Sequence, residues 1–207
     1  MSLNYRVRRN PEREILDAEQ AYQILDEGSI AHVSFVEDNI PYNIPMIYAR
    51  DGNRIIIHCS IKSRFYKTLS YGIETCATVT ILDGIVVAKS AFHCSMNYRS
   101  VMLFGSMKPI TDGNEKMLAS RIITEKIIPG RWSDCRQPNQ IELKSTGFLE
   151  MKIETFSAKA RRGWPKDDPA DSNLPYWSGV IPVKTYKSKA EASPTDNNNI
   201  RVPSYIN

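Results

Sequence analysis

The 207-residue sequence predicts an antiparallel β-barrel with helices packed around it, an α+β fold. Three observations carry that expectation. β-rich segments follow one another as hairpins and meanders, separated by short turn signals. Only two short helical patterns and one long one interrupt them. Strands and helices do not alternate strictly, as a parallel sheet would require. Six or so strands are expected, and no internal repeat is present.

The elements follow in order. Residues 1–14 are polar and Arg-rich and read as a basic arm. DAEQAYQILDEG (17–28) places Ala18, Ala21, Tyr22, Ile24 and Leu25 at helical spacing, with Gly28 as a stop. SIAHVSFVED (29–38) turns β-rich, and Asp38-Asn39 makes a turn into NIPYNIPMIYAR (39–50). DGN (51–53) is a hairpin signal before the strand RIIIHCS (54–60). KSRFYKTLSYG (62–72) returns to helical spacing. Strands are then expected over 74–83, 84–93 and 97–110. DGNEKMLASRIITEKIIPG (112–130) is the strongest helix, ended by Pro129 and Gly130. GFLEMKIETFSA (147–158) alternates as a strand. The barrel domain is expected over 15–183, and 184–207 reads as a disordered tail.

Composition narrows the class. Hydrophobic residues make up 42% and charged residues 24%, enough apolar content for a core. No apolar run approaches the ~18 residues of a membrane span. The N-terminal residues have no apolar stretch of the secretory kind, so a cytoplasmic protein is expected. The net charge of +4 belongs to the ends: +3 in 1–13, −2 in 14–156 and +3 in 157–207. With no aromatic platform among the basic residues, a nucleic-acid groove is not expected. Cys59, Cys76, Cys94 and Cys135 contain no CxxC pair, so neither a zinc site nor a redox dithiol is indicated.

Three segments can carry chemistry. In IHCSIKSRFYK (57–67) a strand runs through a serine turn into a helix start. Lys62, Arg64 and Lys67 there oppose the helix dipole, which favours anions. A bound phosphate would reverse that penalty, with Ser60 and Ser63 as donors. An ordinary serine cap beside a solvated basic turn accounts for the same residues. In NYRSVMLFGSMKPI (97–110), Tyr98, Arg99 and Ser100 open a strand, and Gly105 within it suggests a bulge or a close backbone approach. In NIPYNIPMIYAR, Pro41 and Pro45 lack the ladder N–H and belong at an edge or a bulge.

In this order the segments resemble the flavin mononucleotide (FMN)-binding split barrels of the pyridoxamine 5′-phosphate oxidase-like family, near the nitroimidazole-resistance branch. The resemblance rests on Pro45-Met46-Ile47-Tyr48, His58-Cys59-Ser60 with Ser63-Arg64, and Tyr98-Arg99-Ser100-Val101 with Phe104-Gly105. Arg161-Arg162-Gly163 and the run Trp177 to Pro182 extend it, to cover roughly residues 8–183.

The resemblance implies a homodimer with two FMN molecules at the subunit interface. Arg64 and Ser63 would hold the phosphate, assisted by Lys62 or Lys67, with Ser60 in the same turn. Pro45, Met46 and Ile47 would line the ring edge through backbone groups. His58 and Cys59 would follow the ribityl chain and ring, with His58 as the candidate catalytic group. Arg99 and Ser100, beside Tyr98, would reach the flavin from the partner, and Trp177 could cover it. No metal is implied.

Departures set limits on the substrate. Tyr48 and Phe65 stand where the family often has basic residues, and no Arg-x-His pair follows the last strand. A flavin-dependent oxidoreductase acting on an unidentified small molecule is therefore expected, rather than recognition of a phosphorylated pyridine. A non-enzymatic flavin carrier or sensor is the alternative. His32 and His93 read as packing or surface residues.

Overall fold

A computed structural model of the chain describes residues 5–195 and 200–206. Ten strands form one antiparallel sheet: β1 (Glu14–Ile15), β2 (Ile30–Glu37), β3 (Ile40–Asp51), β4 (Arg54–Ser60), β5 (Glu74–Val87), β6 (Ser95–Ser106), β7 (Lys108–Ile110), β8 (Thr146–Lys152), β9 (Thr155–Arg161) and β10 (Gly179–Pro182). The helices are α1 (Ala18–Glu27), α2 (Arg64–Leu69), α3 (Gly113–Ile127) and α4 (Gln140–Ser145). The strand order is β1-β9-β6-β5-β2-β3-β4-β8-β7, with β10 added to β5.

The split in the barrel lies within β3. Its first half, Ile40–Ile47, pairs only with β2, and its second half, Tyr48–Asp51, pairs with β4. Pro41 and Pro45 fall in the half with a free edge, where a missing N–H costs no ladder bond. Asp38 and Asn39 both take positive φ, 51° and 61°. They form the two-residue loop between β2 and β3 that matches strand twist.

Two apolar layers hold the sheet. The inward faces bury Val33, Phe35, Tyr48, Ile55, Ile57, Val79, Val101, Leu103 and Leu149. A second cluster, Ala49, Ile56 and Phe148 with Ala119, Ile123 and Leu143, lies under α3 and α4. Helix α1 closes one end of the barrel, with Ala21, Ile24 and Leu25 buried. Gly28 ends it with φ −64°, so its role is room rather than backbone freedom. A Cβ there would stand 2.4 Å from Val79 Cγ1 and 2.8 Å from the Tyr48 hydroxyl.

Several expectations are corrected. The strands read at 74–83 and 84–93 are one strand, β5, ending at Val87. Residues 147–158 form two strands, because the chain turns at Ile153-Glu154. The ladder irregularity falls between Leu82 and Gly84; Gly105 keeps register with Thr75. Gly105 instead takes φ +154°, an extended conformation open to glycine.

In the basic arm, Arg6 makes a two-point ion pair with Glu14, both bonds 2.7 Å, and Tyr5 packs on Phe104 with ring centroids 4.5 Å apart. Glu14 and Ile15 add a short strand to β9. Of the arm, 1–4 lie outside the described residues, as do 196–199 and 207 of the tail. Tyr205 donates to Asp134 Oδ2 at 2.6 Å.

Candidate functional site

Alternation along β2 sends Val33 and Phe35 into the barrel and His32, Ser34 and Val36 outward. Ladder register sets these beside residues of four other strands. Pro45, His32, Thr78, Met102 and Ser157 form one transverse row across β3, β2, β5, β6 and β9. Asn43, Ser34, Cys76, Phe104 and Thr155 form the next. Of these, Asn43, Ser34, Cys76, Met102, Phe104 and Ser157, with Tyr42, Val36 and the packed ring of Tyr5, bound an open and largely apolar concavity of about 900 Å³, whereas Pro45, His32, Thr78 and Thr155 lie outside its lining. A volume of that size suits a large planar ligand.

A cationic residue stands at the rim. The Arg64 guanidinium lies over the Tyr42 ring, 4.9 Å from its centroid, and its Nε is 3.4 Å from Glu37 Oε2. Ser63 caps α2: its Oγ accepts from Tyr66 N at 3.1 Å and donates to Ser60 O at 2.7 Å. Ser60 Oγ accepts from Lys62 N at 3.2 Å. Lys62 and Lys67 are exposed, with no carboxylate partner among the described residues. The two hydroxyls are thus partly committed to the turn and Arg64 to Glu37, so Lys62 and Lys67 are the cations of this segment without a carboxylate partner among the described residues.

The other proposed ligands divide between faces. Pro45 and Ile47 point outward on β3, and Met46 points into the core. Tyr98 and Ser100 occupy the outer face of β6, where Ser100 Oγ meets Thr80 Oγ1 at 3.1 Å. Arg99 lies on the opposite face. It bonds Asp83 through Nε and Nη2, 2.9 and 2.7 Å, and Glu27 through Nη1 and Nη2. These carboxylates hold the guanidinium pKa above its ordinary value. Within one subunit Arg99 is an internal tie, not a free donor.

His58 is separate from the large concavity. It lies in a smaller cleft of about 260 Å³ between β4, β8, α3 and α4, with its ring 6.2 Å from Phe148. Burial pushes its pKa below the ordinary value, so the imidazole is neutral at pH 7. Cys59 turns inward, and burial raises its pKa against a weaker opposing bond with Ser63. Burial raises Cys76 likewise, opposed by Thr78. Both remain thiols rather than nucleophilic thiolates. Trp177 is exposed and its ring lies against Gly179, outside both cavities.

The two departures from the family pattern are structural. Tyr48 is wholly buried and its hydroxyl donates to Leu25 O at 2.5 Å. Phe65 packs edge-on against Phe35 in the same core. Sequence reading did not single out Ser34, Cys76, Met102 or Phe104 as site residues. Outward parity marks each, but only cross-strand register brings them together.

Comparison with known proteins agrees with this fold. The sequence pattern of the pyridoxamine 5′-phosphate oxidase family matches residues 17–160. The chain belongs to the pyridoxamine 5′-phosphate oxidase-like family of flavin-binding split barrels. It is similar to the flavocytochrome Anf3 from Azotobacter vinelandii, with TM-score 0.90 and 34% identity over 97% of this chain and 93% of that one. It is also similar to an FAD and heme binding protein from Mycobacterium smegmatis, with TM-score 0.89 and 31% identity over 94% and 95%. A protein proposed to confer 5-nitroimidazole resistance in Bacteroides thetaiotaomicron shares the fold at TM-score 0.61 and 18% identity, over 71% of this chain and 86% of that one. A search of curated proteins gives no significant match.

The residues present fit a flavin. A flat heterocycle needs an apolar slot with few polar groups, as Val36, Met102 and Phe104 with Ser34 provide. A phosphate needs cationic donors: Lys62 and Lys67 have no carboxylate partner among the described residues, and Arg64 shares only its Nε with Glu37.

Proposed function

We propose that this protein is a homodimeric flavoprotein acting as an oxidoreductase on a small molecule. The flavin mononucleotide unit, as FMN or within FAD, lies in the 900 Å³ concavity. The observation that carries the reading is this apolar concavity with Arg64 stacked on its lining residue Tyr42. Two relatives above 30% identity, matched over more than nine-tenths of both chains, are named for a flavocytochrome and for FAD and heme binding. When bound, the flavin would supply hydride or electron transfer. The protein would anchor phosphate through Arg64, orient the ring against the sheet face and exclude water with a second subunit. Exposed Ile30, Val36 and Ile47 share the outward face of β2 and β3 and support that dimer.

Absorbance spectra of the purified protein, before and after incubation with FMN or FAD and desalting, test the reading. Retained yellow colour, with Arg64→Ala losing it, is the expected result. A chain that stays colourless with both flavins overturns it. Turnover assays with the flavin-loaded protein then separate an oxidoreductase from a carrier.

A second reading adds haem, on the strength of the same two relatives' names. His32 and His58 have no hydrogen-bonded partner among the described residues, whereas His93 lies 3.2 Å from Asp168. A neutral imidazole such as His58 is a competent iron ligand. Haemin titration of the native chain and of His32→Ala and His58→Ala variants tests this. Absence of any Soret shift in the native chain removes the reading.

A further inference from the structure

Beyond the concavity and the His58 cleft, a third cavity of about 620 Å³ opens where β9 ends. It is lined by the arm at Glu12–Ile15 and by Ala160–Lys166. Arg161 is 92% buried there, and no carboxylate pairs with it among the described residues. One guanidinium nitrogen, Nη1, donates to Asn97 Oδ1, and Asn97 Nδ2 in turn donates to Gly163 O at 3.0 Å. The same amide thus fixes the arginine and the bend at Gly163, whose φ is +113°. Among the described residues no fully buried side-chain nitrogen lacks a partner, so the guanidinium nitrogens without one keep solvent access, and Arg161 lines the cleft.

The surroundings add positive charge instead of balancing it. Arg13 is close enough to lower the Arg161 pKa, together with burial as the larger cause. Arg162 and Lys166 line the same cleft without carboxylate partners among the described residues. The two carboxylates present are occupied: Glu14 by Arg6 at 2.7 Å and Glu12 by Arg13 at 3.6 Å. A buried cation with no counter-ion is costly, and removing only one partner of such a pair is strongly destabilising. The cost disappears if an anion completes the site. Phosphate oxygens match the forked donors of arginine. Trp164, exposed at the cleft wall, offers a face for an aromatic base.

We propose that this cleft binds the diphosphate of a nucleotide, held by Arg161 with Arg162 and Lys166, with its base against Trp164. Two sources share that chemistry: a free nucleoside diphosphate, or the adenosine diphosphate half of FAD. The second is geometrically open, because Ser157 lines the concavity and Arg161 the cleft. Four residues apart on one strand, they are separated by about 13 Å. Only that arm rests on the flavin reading.

Calorimetric titration of the full chain with ADP, with and without bound FMN, tests the proposal. ADP is expected to bind the flavin-free protein and to quench indole fluorescence, with the quenching absent in Trp164→Phe. The double variant Arg162→Ala with Lys166→Ala should weaken binding at least about tenfold, the loss expected for one charge-assisted contact. Arg161→Met tests the buried cation if it folds; the exposed pair carries the test if it does not. ADP displaced by FAD but not by FMN assigns the site to the dinucleotide. ADP bound equally in the FAD-loaded protein assigns it to a separate ligand. No ADP binding at millimolar concentration, or binding unchanged in the double variant, overturns the proposal. So does a double variant that changes only dimerisation, because a partner carboxylate would then be the counter-ion.

Discussion

At the scale of single residues, burial and pairing decide roles that residue type leaves open. Arg99 shows it. The sequence offers it as a flavin donor from the partner, and the structure ties it to Asp83 and Glu27. Arg99→Ala should therefore cost about 1–2 kcal/mol of stability in flavin-free protein, since charge-assisted bonds exceed neutral ones. Urea denaturation of the apo form measures it; an unchanged midpoint refutes the tie. Gly28→Ala should cost about 1–3 kcal/mol, because the added methyl meets Val79 and the Tyr48 hydroxyl in a packed core. A Tm equal to wild type would show that the core yields there.

His58 gives a pH dependence. Its folded pKa lies below the ordinary value near 6.5, so the unfolded chain binds more protons in that window. Stability should be full above about 6.5 and fall as pH drops from there toward the folded pKa. His58→Gln should flatten the profile between pH 7.5 and 5. A variant whose stability tracks wild type across that range would remove the assignment.

At the scale of elements, caps and register do what periodicity only suggests. Helix α3 begins where Asp112 Oδ1 accepts from Asn114 N and Glu115 N, both at 3.0 Å. Asp112→Ala should cost about 1 kcal/mol, checked by thermal melting. Helix α4 is held by a reciprocal box, Asn139 Oδ1 to Glu142 N at 2.9 Å and Asn139 N to Glu142 Oε2 at 2.8 Å. Its six residues are too few for a readable period, so the sequence did not reveal it. The merged strand β5 and the divided pair β8–β9 have the same origin. In β5 a bulge between Leu82 and Gly84 shifts the alternation from odd to even buried positions without ending the strand, and the apolar pattern of 147–158 crosses a tight turn without a glycine or proline to mark it.

At the scale of the whole molecule, the uncovered sheet face is the dominant feature. Ile30, Val36 and Ile47, on that face, are each 44–57% exposed. If the proposed dimer covers them, Ile47→Lys should shift sedimentation toward the monomer and reduce flavin retention together. Retention by a monomer would place the flavin within one subunit. Among the described residues no helix is long and apolar enough to cross a membrane.

The sequence alone determined the architecture, because alternation, paired turn residues and the two prolines in β3 are local properties that a strand either has or lacks. It also located the Ser60–Lys67 turn, because cations at a helix start are visible in a short window. Only the tertiary structure decided which residues share a face. His32, Thr78 and Met102 are 46 and 24 residues apart in the chain and neighbours across the ladder. It alone separated His58 from the concavity and left Arg161 buried without a carboxylate. Side-chain partners across a sheet depend on register and on strand order, and neither is encoded within any one segment.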